Sequence, residues 1–248
     1  MRNIKLTIEY DGTYFHGWQV QEASKRTVQG ELEKACRKVF KKRRRIIGSG
    51  RTDSGVHALG QIAHCKVETH LTADEIVRAL NASLPQDIAI IKAEFAGKKF
   101  HAQYSAQAKT YRYTILNRRG RSPLAQNFCH FYPYPLNVAL MRKETKALIG
   151  RKDFKSFQAT PAREDKEKST VRVVKKIIIS KKGDFILIDI QANGFLHKMV
   201  RNIVGTLLEI GSGRLPKASM KRILQKKSRL AAGRTAKAKG LCLMEVKY

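Results

Sequence analysis

The sequence predicts an α+β fold. It reads as two pseudo-symmetric halves, residues 1–106 and 107–248, whose antiparallel and mixed sheets join into one central sheet flanked by helices, with an active-site cleft between the halves. Three observations predict it. Apolar residues alternate at Ile4, Leu6, Ile8 and Tyr10 and again at Tyr111, Tyr113 and Ile115, as in half-buried strands. Between such runs, Val28, Leu32, Ala35, Cys36, Val39 and Phe40 recur at helical spacing. The order strand, helix, strand, helix, strand of the first half returns loosely in the second.

Taken in order, Asn3 to Tyr10 forms a strand that Asp11-Gly12 turns. Tyr14, Phe15 and Trp18 then make an aromatic loop whose simplest role is to pin itself to a core. The helix from Thr27 to about Lys42 ends in the basic run Lys42 to Arg45. Its nearness to the loop that follows suggests phosphate contact as readily as a solvated face. Leu59, Ile62, Ala63 and Cys65 read as a mostly buried strand. Thr72 to Glu75 is a capping box opening a helix through Ala82, which Leu84-Pro85 closes, and Asp87 to Phe95 is a strand with some slippage in its alternation.

In the second half, Gln107 to Leu116 is a strand with aromatics on one face and Arg112 on the other. Asn117 to Asn127 is a basic loop, Asn137 to Gly150 a helix, and Arg151 to Thr170 a long charged surface loop. Val171 to Ser180 and Asp184 to Ala192 flank Lys181-Lys182-Gly183 as a hairpin. Gly194 to Gly213 reads as a deeply packed helix in which His197, Arg201 and Gly205 form a separate stripe, with Arg201 either half-buried and in need of an anionic partner or at the helix surface facing solvent. A helix from Lys217 to Lys226 and a strand from Leu241 to Val246 complete the chain.

Composition narrows the function. The 248 residues are 42% apolar, enough for a packed core, and 50 Lys and Arg against 20 Asp and Glu give a formal charge of +30. Such an excess repels itself unless a polyanion is the partner. No apolar run approaches the length of a membrane span and no basic helix carries a membrane-binding aromatic face, so nucleic acid is the expected partner. Cys36, Cys65, Cys129 and Cys242 lie far apart without a CxxC pair, which reads as reduced thiols in a cytosolic protein, with no metal site. The first residues enter a strand directly, without signal-peptide character.

The stretch most suited to chemistry is GSGRTDSGVHALGQIAHC, Gly48 to Cys65. Gly48, Gly50 and Gly55 permit a tight loop that presents Arg51 and Asp53 at the end of a strand. A phosphate-binding loop would need Lys and Ser or Thr where Val56 and His57 stand, and a dinucleotide fingerprint would need glycine in place of Asp53. An acid protease needs two carboxylates sharing one proton. Arg51 favours an ionised Asp53 instead, and no second Asp-[Ser/Thr]-Gly occurs. An ionised aspartate acting as nucleophile or base beside an arginine remains, against the plainer reading of an aspartate that bonds its own turn.

YDGTYFHGWQVQ, GRTDSGVHALGQ, NASLPQDI, FHAQYSA followed by KTYRY, GRKDFKSF, GFLHKMVRNIVG and GLCLMEV, in this order, resemble the TruA-type tRNA pseudouridine synthases nearly end to end. The resemblance implies a cofactor-free isomerase converting uridine to pseudouridine in the tRNA anticodon stem-loop, at positions about 38–40, as a cytoplasmic homodimer. It makes Asp53 the nucleophile, with Arg51 and Arg201 its charged neighbours. Tyr111 would stack on the target base, with a part in removing the C5 proton, and Leu241 would line its apolar seat. His57, Gln61 and Arg112 would add substrate contacts. The sequence departs from the family pattern at Gln103, often arginine, at Arg234 and Lys237, and at Cys242, often tyrosine. These bear on affinity and target choice. The alternative, a non-catalytic RNA-binding protein on the same scaffold, would have no need of Asp53, Arg51, Tyr111 and Arg201 together.

Overall fold

A computed structural model describes residues 1–21, 25–42, 44–159 and 169–248. In chain order the elements are β1 (Arg2–Tyr10), α1 (Val28–Phe40), β2 (Ile47–Gly48), β3 (His57–Val67), α2 (Ala73–Asn81), β4 (Ile88–Ala96), β5 (Ala108–Leu116), β6 (His130–Phe131), α3 (Val138–Thr145), β7 (Gly150–Asp153), β8 (Val171–Lys182), β9 (Phe185–Ala192), α4 (Met199–Gly211), α5 (Ser219–Lys226) and β10 (Leu241–Lys247). Contacts gather them into two compact units. One is Met1–Gln107 together with Cys242–Tyr248, the other Ala108–Leu241. Each has the α+β make-up that the sequence predicts.

In the first unit β1 lies antiparallel to both β3 and β4. The other edge of β3 is shared. β10 pairs parallel with its start, Cys242 opposite His57, and β2 pairs antiparallel further along, Ile47 opposite His64. The alternation in β1 buries Ile4, Leu6, Ile8 and Tyr10. The slippage expected in β4 is a bulge: Thr7 pairs with Lys92 but Ile8 with Ile90, leaving Ile91 turned outward. A second irregularity corrects the reading of β3. The register slips between Ile8, opposite Gln61, and Tyr10, opposite Ala58, and Leu59 within the slip is 47% exposed rather than buried. Thr27 caps α1 by accepting the Gly30 amide, and the helix buries Val28, Leu32, Ala35 and Cys36. The Thr72–Glu75 capping box forms as predicted at the start of α2.

In the second unit β5, β9, β8 and β7 pair antiparallel in that order, with β6 parallel on β5. The hairpin turns at Gly183, whose φ of +56° suits glycine. Three expectations are corrected here. The segment after residue 150 is not all loop: β7 joins the sheet, and a turn of 3₁₀ helix at Lys155–Phe157 buries Phe154 and Phe157 completely. Spaced three apart, these rings fall on one side of such a turn, and they outweigh the polar composition around them. Residues 160–168 of the expected loop lie outside the described residues. Helix α3 ends early, at Thr145, because a 3₁₀ turn and Gly150 at φ +95° redirect the chain into β7. Helix α4 starts at Met199, because Lys198 takes a left-handed conformation at its N-cap (φ 57°), so His197 precedes the helix and does not share its stripe. The rest of α4 is core, with Met199, Ile203, Val204, Leu207 and Ile210 fully buried. Glu144, itself buried, accepts the amides of Ala218 (2.6 Å) and Met220 (3.1 Å) and caps α5 across space.

Candidate active site

The Gly48–Gly55 stretch is held on both sides of Asp53. Before it, the Thr52 carbonyl accepts the Trp18 amide at 3.1 Å, and the Thr52 hydroxyl meets the Tyr10 hydroxyl at 2.8 Å. Burial raises the Tyr10 phenol far above its ordinary range, so it stays protonated in that contact. After it, the Val56 amide closes a turn onto the Asp53 carbonyl at 3.2 Å, while Ser54 Oγ (3.1 Å) and the Gly55 amide (3.3 Å) both donate to the Phe15 carbonyl. Backbone approaches this close need glycine opposite them. A Cβ on Gly17, at φ +89°, would lie 2.7 Å from the Thr52 carbonyl oxygen, and one on Gly48 would lie 2.6 Å from the Trp18 indole. The aromatic loop thus has the pinning role read from the sequence: Phe15 and Trp18 are buried at 2%, while Tyr14 is exposed. The loop leaves Asp53 half-buried and Arg51 exposed.

His57 and Gln61 lie beneath this loop. His57 is buried, its Nδ1 3.0 Å from the Gly12 amide and 3.1 Å from Asp11 Oδ1, and so ties the β1 turn to the start of β3. Gln61 is fully buried. Its Oε1 accepts Ser49 Oγ (2.8 Å) and the Ile62 amide (3.1 Å), and its Nε2 donates to the Gly50 carbonyl (3.0 Å). Both side chains brace the backbone around Asp53.

In the second unit the candidate residues gather around residues 234–241. Tyr111 is buried to 8%, edge-on to Phe195 with ring centroids 5.1 Å apart at 90°. Two residues on, Tyr113 donates its hydroxyl to the Lys237 carbonyl (2.8 Å), and its ring fills the space where Gly240 has no Cβ. The Tyr113 proton is thereby committed, so His130 Nδ1, 3.0 Å away, is the donor in their contact. Arg201 on α4 grips the same segment: its Nε donates to the Ala236 carbonyl at 2.8 Å and its carbonyl accepts the Ala236 amide at 3.1 Å. Gly205, one turn further, lets the Arg234 backbone pass where a Cβ would collide with it. Leu241, buried at 5%, follows directly. Burial raises the Tyr113 phenol far above its usual range, against the pull of Arg201 toward ionisation. Arg112 faces the other way from Tyr111 and makes a two-pronged pair with Asp189, directly opposite on β9, at 2.7 and 2.9 Å.

Sequence reasoning missed Gly17, which lets the Trp18 clamp close on Thr52, and the anchoring of segment 234–240. The glycine in His-Gly-Trp and that before Leu241 are their faint signals. Among the described residues no three His, Cys, Asp or Glu side chains gather as a metal site would, and no helix is long and apolar enough to cross a membrane. The arrangement offers a braced loop with a carboxylate and an arginine in one unit. In the other it offers a tyrosine ring, an arginine and an apolar seat on one anchored segment.

A family model described as tRNA pseudouridine synthase matches residues 6–105 and 145–248. Proteins named tRNA pseudouridine synthase A from Thermoanaerobacter sp. (strain X514) and Caldicellulosiruptor bescii are 45% and 44% identical, each over the whole of both chains. One named tRNA pseudouridine synthase A 2 from Clostridium perfringens is 42% identical, also over the whole of both.

Proposed function

The chain belongs to the tRNA pseudouridine synthase family, isomerases that convert uridine to pseudouridine in tRNA, and we propose that its targets are uridines of the anticodon stem-loop, at positions about 38–40, with Asp53 as nucleophile. The observation that carries the role of Asp53 is the bracing of its loop. Thr52 and Val56 are held by backbone bonds on either side, while the carboxylate between them stays half-exposed. A nucleophile gains rate when its approach is fixed before the substrate arrives.

The chemistry follows from the residues. Asp53 adds to the uracil ring or the ribose as the bond from C1′ to N1 breaks, the freed uracil turns, a bond forms from C1′ to C5, and the bond to Asp53 breaks again to return the free carboxylate. The C5 proton leaves, N1 gains one, and no atom is added or lost overall. Arg51 and Arg201 supply positive charge where the carboxylate and the base carry negative charge. Tyr111 gives the displaced base a ring to stack on, repaying about 1 to 3 kcal/mol of lost stacking, and accepts or relays the C5 proton. Leu241 keeps water from the separated uracil. The protein acts as a cytoplasmic homodimer, a state that sedimentation of the purified chain tests.

Unmodified tRNA with an anticodon-arm uridine, incubated with the wild type and with Asp53→Asn, is then mapped for pseudouridine by nucleotide. Product from the wild type, none from the variant and binding by both supports the reading. Binding without product from either points to a non-catalytic RNA-binding protein.

A further inference from the structure

Toward the end of β3 away from Asp53 is a cavity of about 410 Å³, lined by Arg44, Arg45, Ile47, His64, Lys66 and His101 among others. None of its lining residues carries a carboxylate side chain. Two acids lie near it: Glu68, exposed and 3.0 Å from Lys42, with Arg44 at 3.9 Å, and Glu33, which accepts the Ile46 amide at 3.1 Å. The lining itself holds three cationic side chains, Arg44, Arg45 and Lys66. The Arg44 side chain is only 20% exposed, and its Nε is buried without a hydrogen-bond partner among the described residues. A buried guanidinium nitrogen left so is costly, and in a site rimmed by cations the missing partner is an oxyanion.

The walls are rigid. His64 Nδ1 accepts the Ala102 amide at 3.1 Å, and burial, with His101 close by, lowers its proton affinity, so it acts as a neutral strut. His101 Nδ1 accepts the amides of Gln103 (3.2 Å) and Tyr104 (3.3 Å), which leaves Nε2 as its donor. Tyr104 stacks on His101, centroids 4.3 Å apart at 24°, and is 80% exposed, a ring at the rim on which an unpaired base can lie. An anion pocket with an aromatic rim fits polynucleotide better than free phosphate.

We propose that this cavity binds a backbone phosphate of the tRNA substrate remote from the uridine being isomerised. The loop starts beside the cavity, where Ile47 and Gly48 pair with His64 and Ala63, and runs back along β3, so that Asp53 itself, in the turn closed by Val56, lies by the start of the strand at His57. Six residues of chain join Ile47 on the cavity wall to Asp53, and seven residues of β3 separate His57 from His64, so at about 3.3 Å per residue the separation is roughly 20 Å, too far for the phosphate of the reacting nucleotide. The site would set the register of the tRNA and take no part in the chemistry. The basic run Lys42 to Arg45, of which residue 43 lies outside the described residues, thus works beside the start of the loop, at Ile47 and Gly48, and not at Asp53 itself.

The inference rests on tRNA being the substrate, and the test separates the two. Arg45 and Lys66 are both exposed, so Arg45→Ala with Lys66→Ala spares the fold. Dissociation constants for unmodified tRNA are measured from about 50 to 300 mM salt, and pseudouridine formation at saturating tRNA. The double variant is expected to bind about tenfold more weakly near 150 mM salt, with a log-log salt slope shallower by about 1, and to turn over at the wild-type rate. Glu68→Gln, which removes the competing carboxylate, is expected to shift affinity the other way, tightening it by about twofold. Unchanged affinity and slope in the double variant, or weaker binding by Glu68→Gln, overturns the inference. A wild type that forms no pseudouridine overturns the functional reading instead.

Discussion

The Trp18 amide donates to the Thr52 carbonyl at 3.1 Å, so the residue just before Asp53 is held by a segment 34 positions earlier in the chain. The contact depends on Gly17, whose φ of +89° and missing Cβ let the two backbones meet. Gly17→Ala is expected to cost about 1 to 2 kcal/mol from the left-handed conformation alone, with more from the 2.7 Å approach, and to lower kcat more than tRNA affinity. Thermal unfolding together with single-turnover rates checks this. Loss of stability with an unchanged rate would show that the bracing does not position Asp53.

Tyr111 is packed edge-on against Phe195 and is nearly buried, so its ring is fixed in orientation. Tyr111→Phe is expected to bind tRNA like the wild type but to turn over more slowly. Tyr111→Ala is expected to lose about 1 to 3 kcal/mol of binding as well, roughly 5- to 150-fold in Kd. Equal affinities for the two variants would remove stacking from the role of Tyr111.

His130 is pushed down to about 4, by burial first and by Lys237 and Lys239 next. In the unfolded chain it titrates near 6.5, so between about pH 6.5 and 4 the unfolded state binds the extra proton and stability falls as pH falls. Urea midpoints across that range are expected to decline less steeply in His130→Asn than in the wild type. Parallel pH dependences would contradict a neutral His130 donating to Tyr113.

Most elements are legible in the sequence because their packing is periodic. β1 and β5 alternate, α1 and α2 carry both a stripe and a cap, and the Asp53 loop advertises its glycines. What escapes is held by single contacts that leave no period. Leu59 is turned out by a slipped register set on another strand, and Phe154 with Phe157 anchor a stretch whose composition reads as loop. His197 is cut from its stripe by one left-handed residue, Lys198. The segment 234–240 is fixed by Arg201 and Tyr113 through its backbone carbonyls, which any residue possesses. Arg112 reads as a charge facing outward, and only the β5–β9 register reveals Asp189 opposite it.

Gly205 tests whether that segment matters. A Cβ there would collide with the Arg234 carbonyl, and helix α4, with its neighbours fully buried, has no room to retreat. The segment must yield, and it carries both the Ala236 contacts of Arg201 and the approach to Leu241. Gly205→Ala is a favourable change for an isolated helix, by about 1 kcal/mol. Here overpacking of about 1 to 3 kcal/mol is expected to win, lowering Tm by several degrees at roughly 2 to 4 °C per kcal/mol, with a loss of turnover at saturating tRNA. The comparison that isolates the cause is Glu144→Gln, which weakens the cap of α5 in the same unit without touching the segment. It is expected to lower Tm while leaving turnover intact. If both variants lose turnover in proportion to Tm, the effect of Gly205→Ala is general destabilisation. If only Gly205→Ala does, the geometry of residues 234–241 sets the rate.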